Sequence, residues 1–198
     1  MAYDKFTVLT STAVPLPIEN VDTDQIIPAR FLKAIERKGF GDNLFRDWRY
    51  NNDNSPKQDF ILNNAIYTGK ILVGGTNFGS GSSREHAAWA IYDYGFRCVV
   101  SSFFADIFKG NAINVGILPV QVSEAFLDQI FKAIEVDPAT AITIDLAAQT
   151  IKLEATGARE SFAINGYKKH NLMNGFDDID YLQAMKDDIK TFAATNGI

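Results

Sequence analysis

With 198 residues, 46% of them hydrophobic, the chain is long enough to bury one sizeable core and is of a length usual for a single domain. Its 19 Lys and Arg against 24 Asp and Glu give a net charge of -5, with the basic residues scattered, which excludes the concentrated positive face of a nucleic-acid binder. A single cysteine, Cys98, and two distant histidines, His86 and His170, exclude an intrachain disulfide and any cysteine-built zinc or iron–sulfur site within the chain. No apolar run approaches the length of a membrane span and no leader pattern opens the chain, so the expected location is the cytoplasm.

Residues 5–9 read as a strand, and Pro15 and Pro17 then break the pattern. The polar turn at 20–28 carries Asp22 and Asp24, whose commonest use in such a place is to accept hydrogen bonds from loop N–H groups. Residues 29–35 read as helix, and 37–43 as a basic, glycine-punctuated loop containing Arg37. Phe45, Trp48 and Tyr50 interleave with Arg46 and Arg49. In an acidic chain so short a patch reads as a loop packed on the body, not a stacking surface for bases. Residues 51–58 are polar and read as an exposed loop.

Strand 70–73, helix 83–94, strand 96–101, helix 103–114 and strand 117–122 follow one another as β-α-β-α-β, the pattern of a parallel sheet with right-handed crossovers. Between the first strand and the first helix lies a glycine-rich turn with Gly75, Gly79 and Gly81. Ser82 and Glu85 stand at capping-box spacing, so the helix is expected to begin at Ser82 and Ser83 and to end at Gly95. A turn at the carboxyl end of a parallel strand is where open α/β sheets bind ligands. Uncompensated N–H groups at a helix start attract anions, and Arg84 adds a planar two-pronged donor. A Walker loop is excluded because no Gly-Lys-Ser or Gly-Lys-Thr follows the glycines, and the dinucleotide-binding spacing does not fit. The alternative is an ordinary capped helix with Arg84 on its surface. Cys98 reads as a small buried strand residue.

Residues 123–136 carry a clean amphipathic pattern ended by Asp137-Pro138. Residues 141–146 and 150–155 alternate about a short turn as a hairpin, with 160–164 a possible third strand. The tail from 165 to 198 reads as helical, and no second domain is marked, so 1–198 is expected to be one domain.

The run 77–87 (Asn-Phe-Gly-Ser-Gly-Ser-Ser-Arg-Glu-His-Ala), preceded by 20–28 (Asn-Val-Asp-Thr-Asp-Gln-Ile-Ile-Pro), resembles the swivelling domain of the aconitase superfamily. With 37–41, 102–111 and 173–179, the likeness narrows to the bacterial-type small-subunit family of the isopropylmalate isomerases and covers nearly the whole chain. The resemblance implies an α/β fold: an aconitase-type swivelling β/β/α domain, with a mostly parallel central sheet flanked by helices and a small additional hairpin region. It implies a hydro-lyase of leucine biosynthesis, active only with a large subunit that carries a four-iron, four-sulfur cluster. This chain would bind no cofactor or metal. At the site it implies Ser82 as catalytic base, Ser83, Arg84 and Arg37 as substrate-binding residues, and Asp24 and Gly81 in support, with His86 packing the helix. Ser80 stands where many such subunits have cysteine or another residue, a loop-packing difference that leaves the reaction unchanged. Two other readings fit the same residues: a paralogue acting on homoaconitate or a methylmalate-type acid, and a non-catalytic module that binds a carboxylate or a protein partner.

Overall fold

The computed structural model of the chain describes residues 3–33 and 39–196. A seven-stranded mixed sheet is its frame. Strand β1 (Val8–Leu16) lies at the centre, flanked on one side by β2 (Ile71–Gly74), β3 (Cys98–Ser101) and β4 (Leu118–Gln121), all parallel to it. On the other side β5 (Ala141–Asp145), β6 (Thr150–Leu153) and β7 (Arg159–Ser161) continue the sheet in antiparallel steps. The hairpin region is thus an extension of the central sheet, joined to it through β1 and β5.

The two halves read differently in sequence because they are covered differently. All residues of β2 and β3 are buried, so these strands appear as unbroken apolar runs. Strands β5 and β6 alternate between buried and half-buried positions, as expected of strands with one face on the core. One core cluster sets Leu72 and Val99 against α3 (Glu85–Tyr94), α4 (Asp106–Asn114) and Phe40, Leu44 and Phe45. On the opposite face, Ile71, Val73, Cys98 and Val100 meet Phe126, Leu127, Ile130 and Ile134 of α5 (Glu124–Val136). The tail folds as α6 (Gly166–Asn174), α7 (Asp178–Ala184) and α8 (Lys186–Asn196).

Four expectations change. β1 runs on through Pro15 to Leu16: it pairs with β5 only over Val8–Thr12 and with β2 only over Ala13–Leu16, so Pro15 sits where one side of the strand has no partner. Helix α3 starts at Glu85 with Arg84 as its cap residue, not at the serines. The reciprocal capping box belongs instead to α1 (Thr23–Ile26), where Asp22 Oδ1 accepts from the Gln25 N–H and the Asp22 N–H donates to Gln25 Oε1, both at 2.9 Å. The helix expected at 29–35 is a single 3-10 turn over Ala29–Phe31, residues 34–38 lie outside the described residues, and the short helix α2 (Arg46–Arg49) follows.

Candidate active site

At the carboxyl end of β2 the chain is stitched to two neighbours. On one side, Gly75 N–H donates to the Ile18 carbonyl, Gly79 N–H to Val21 at 2.7 Å, and Thr23 N–H to Ser80 at 2.9 Å. On the other, Phe78 N–H donates to the Phe103 carbonyl and Ala105 N–H to that of Phe78. Phe78 is fully buried against Phe104 and Phe108, which anchors the turn from beneath. Gly79, at φ +79°, passes so close to Phe108 that a Cβ would lie 2.2 Å from that ring's Cγ. A side chain at 79 would therefore push the turn off the core.

These anchors deliver Ser82 and Ser83 to the surface, both exposed, with Gly81 at φ +88° just before them. Thr23 Oγ1 donates to the Ser82 carbonyl at 2.9 Å, tying that residue to α1. The hydroxyls of Ser82 and Ser83 make no hydrogen bond among the described residues. The capping box expected for Ser82 and Glu85 does not form: the Glu85 carboxylate accepts from Trp89 Nε1 at 3.0 Å within the helix. Helix α3 opens without a hydrogen bond from its cap side chain, and the Ala87 N–H donates to the Arg84 carbonyl at 3.2 Å.

Arg84, its side chain only 15% exposed, donates through Nη1 to Asp24 Oδ1, forming an ion pair between the cap of α3 and the first turn of α1. Asp24 is 53% exposed, so this carboxylate faces solvent while it holds the guanidinium. Loop 20–28 thus divides its two acids: Asp22 caps α1, as loop aspartates commonly do, and Asp24 reaches the site. His86 packs as expected, its ring 5.6 Å from Phe40 and 4.5 Å from Trp89. Arg37 lies outside the described residues.

Two contacts at the site have no local sequence signal. Ser101, fully buried, donates from Oγ to the Gly75 carbonyl at 2.6 Å and braces the turn from β3. Asp93 Oδ2 accepts from the Gly41 N–H at 2.8 Å. Both join residues tens of positions apart, so only the fold reveals them.

The residues present do not fit an iron–sulfur cluster. Cys98 is fully buried in β3, where burial pushes its thiol well above the ordinary value, away from the thiolate a metal needs. Among the described residues no three His, Cys, Asp or Glu gather as a metal site. No helix among them is long and apolar enough to cross a membrane.

A glycine-rich turn at the end of a parallel strand thus leads through two exposed serines to a helix whose cap residue is a carboxylate-held arginine, the arrangement that the aconitase-type resemblance implies. The family model described as the aconitase C-terminal domain matches residues 3–125, and a second, LeuD_N, matches 128–166. A solved structure of 3-isopropylmalate dehydratase from Methanocaldococcus jannaschii shares the fold, with a TM-score of 0.69, 24% identity, and coverage of 93% of this chain and 98% of that one. The 3-isopropylmalate dehydratase small subunit of Cytophaga hutchinsonii is 62% identical over 193 residues, 98% of this chain and 96% of its own length. That of Christiangramia forsetii is 61% identical over 189 residues, covering 96% and 92%. The chain belongs to the 3-isopropylmalate dehydratase small-subunit family.

Proposed function

We propose that this chain is one half of a two-subunit hydro-lyase that interconverts 2-isopropylmalate and 3-isopropylmalate in leucine biosynthesis, in the cytoplasm, as a single swivelling domain with a helical tail. The observation that carries the reading is the pairing of an exposed Ser82, its hydroxyl without a hydrogen bond among the described residues, with a helix start that has no side-chain cap and an Arg84 held by Asp24.

Isomerisation removes a proton from one carbon and hydroxide from its neighbour, giving an unsaturated diacid, and then adds water back in the opposite sense. Ser82 Oγ takes the carbon-bound proton and returns it in the second half. An alkoxide is a costly state for serine. The positive end of the α3 dipole and the nearby guanidinium lower that cost, because both are fixed in place before the reaction. The substrate is a dianion, and Arg84 with Ser83, at the positive end of the α3 dipole, grips one carboxylate. Asp24 fixes the plane of the Arg84 fork, and Gly81 lets the chain turn towards Ser82 without a side chain in the way. Arg37 is assigned to the second carboxylate. The four-iron, four-sulfur cluster is assigned to the large subunit, since Cys98 is unfit to hold one.

The test is conversion of 2-isopropylmalate by this chain alone, by a cluster-loaded large subunit alone, and by the two mixed. Activity confined to the mixture is expected. A large subunit that turns over equally well alone would refute the division of labour.

A further inference from the structure

The turn that carries Ser82 lies beside residues 21–23 as a short parallel pairing. Gly79 and Ser80 donate their N–H groups to the Val21 carbonyl at 2.7 and 3.1 Å, Asp22 and Ser80 form a parallel bridge, and the Thr23 N–H donates to the Ser80 carbonyl at 2.9 Å. In a parallel ladder of this register the next rung to the turn would run from the Gln25 N–H to the Ser82 carbonyl. That rung is lost. The chain winds into α1 at Thr23, and the Gln25 N–H goes to Asp22, 3.1 Å from its carbonyl and 2.9 Å from Oδ1.

The Thr23 hydroxyl takes its place. Oγ1 donates to the Ser82 carbonyl at 2.9 Å, so one residue holds the carbonyls on both sides of Gly81, that of Ser80 through its N–H and that of Ser82 through its side chain. Thr23 is 3% exposed and branched at Cβ, which restricts χ1 and gives the hydroxyl a fixed direction. The next residue, Asp24, holds Arg84. The first turn of α1 therefore grips the site at two successive positions, Thr23 on Ser82 and Asp24 on Arg84.

We infer that Thr23 is a positioning residue for the proton transfer: its hydroxyl fixes the Ser82 backbone relative to Arg84, and so sets the point from which Ser82 Oγ meets the substrate carbon. This rests on the proposed role of Ser82 as base. Thr23 is buried with its hydroxyl engaged, so it acts through Ser82 and not on the substrate.

The assembled two-subunit enzyme is assayed with Thr23→Val, Thr23→Ser and Ser82→Ala in this chain. Thr23→Val keeps the branched shape and removes the donor. It is expected to lower kcat about 10- to 100-fold with KM within about threefold, the scale of a misplaced catalytic group. Its Tm should fall by only about 1–6 °C, the scale of one hydrogen bond. Thr23→Ser keeps the hydroxyl and is expected to bring kcat back to within about threefold of wild type. Should the valine variant fail to assemble, Thr23→Ala against Thr23→Ser makes the same comparison. A kcat unchanged by Thr23→Val while Ser82→Ala is inactive overturns the inference and leaves the base assignment standing, and so does a serine variant as impaired as the valine variant. Full activity in Ser82→Ala would instead remove the base assignment and this inference with it.

Discussion

Replacing Gly79 with alanine tests how the turn is held, because the same change two residues on, at Gly81, has the same backbone and a different surrounding. Both glycines adopt left-handed backbone, at φ +79° and +88°, where an L-residue costs about 1–2 kcal/mol. At 79 the new Cβ would also fall 2.2 Å from Phe108 Cγ and 2.4 Å from its Cβ. That ring is 1% exposed and is boxed in by Phe78 and Phe104, so it has no room to yield. Overpacking of this kind adds about 1–3 kcal/mol, for a total of roughly 2–5 kcal/mol. At 81 the Cβ would lie 3.4 Å from Asp22 Cβ, an ordinary contact, and only the backbone cost applies. At 2–4 °C per kcal/mol for a chain of this size, Gly79→Ala should lower Tm by about 4–20 °C and Gly81→Ala by about 2–8 °C. Thermal unfolding followed by circular dichroism reads both. A Gly81→Ala variant that loses as much as Gly79→Ala would refute the claim that contact with Phe108 anchors the turn.

Asp24→Asn should leave Tm within about 4 °C of wild type, since its half-exposed ion pair is worth at most about 1 kcal/mol. In the assembled enzyme the same variant should lower kcat/KM by about 10- to 100-fold, because the fork of Arg84 loses its fixed plane; unchanged kinetics would dismiss Asp24 from the site. Ser101→Ala leaves the Gly75 carbonyl without its 2.6 Å donor and should cost about 1–3 kcal/mol, read as a lower urea midpoint at unchanged m. Tyr3 is held above the ordinary phenol value, first by burial and then by Asp177 and Asp178, while its hydroxyl donates to the Phe176 carbonyl. The folded state thus favours the protonated phenol, a contribution intact below about pH 10 and lost as pH rises beyond it, when only the unfolded chain releases the proton. Wild type should therefore lose more stability than Tyr3→Phe between pH 9 and 11, and equal losses would contradict the assignment.

The parallel half of the sheet was legible because β2 and β3, covered on both faces, leave apolar runs, and because Gly95 closes α3 in left-handed backbone as its position implied. The start of α3 was not. Ser82 and Glu85 have capping-box spacing, but the Ser82 carbonyl is bonded by Thr23 and the Glu85 carboxylate by Trp89, so tertiary contacts displaced the local motif. Pro15 looked like a strand breaker because the one-sided pairing that tolerates it is decided by β2 and β5, far along the chain. At the site, residue chemistry pointed to an anion near Arg84. A supporting place for Asp24 came from family resemblance, and the fold pairs it with Arg84, sixty residues away. The bracing by Ser101 and Asp93 has no trace in local pattern, since each acts on a backbone group that any residue carries.

The base assignment is tested most directly by exchange of the substrate's carbon-bound hydrogen with deuterated solvent, using Ser82→Ala assembled with the cluster-loaded large subunit. Removal of a positioned base predicts a loss of at least about 10²–10⁴-fold in exchange and turnover, with the affinity between subunits unchanged. Exchange at the wild-type rate in that complex would place the base elsewhere and contradict the account.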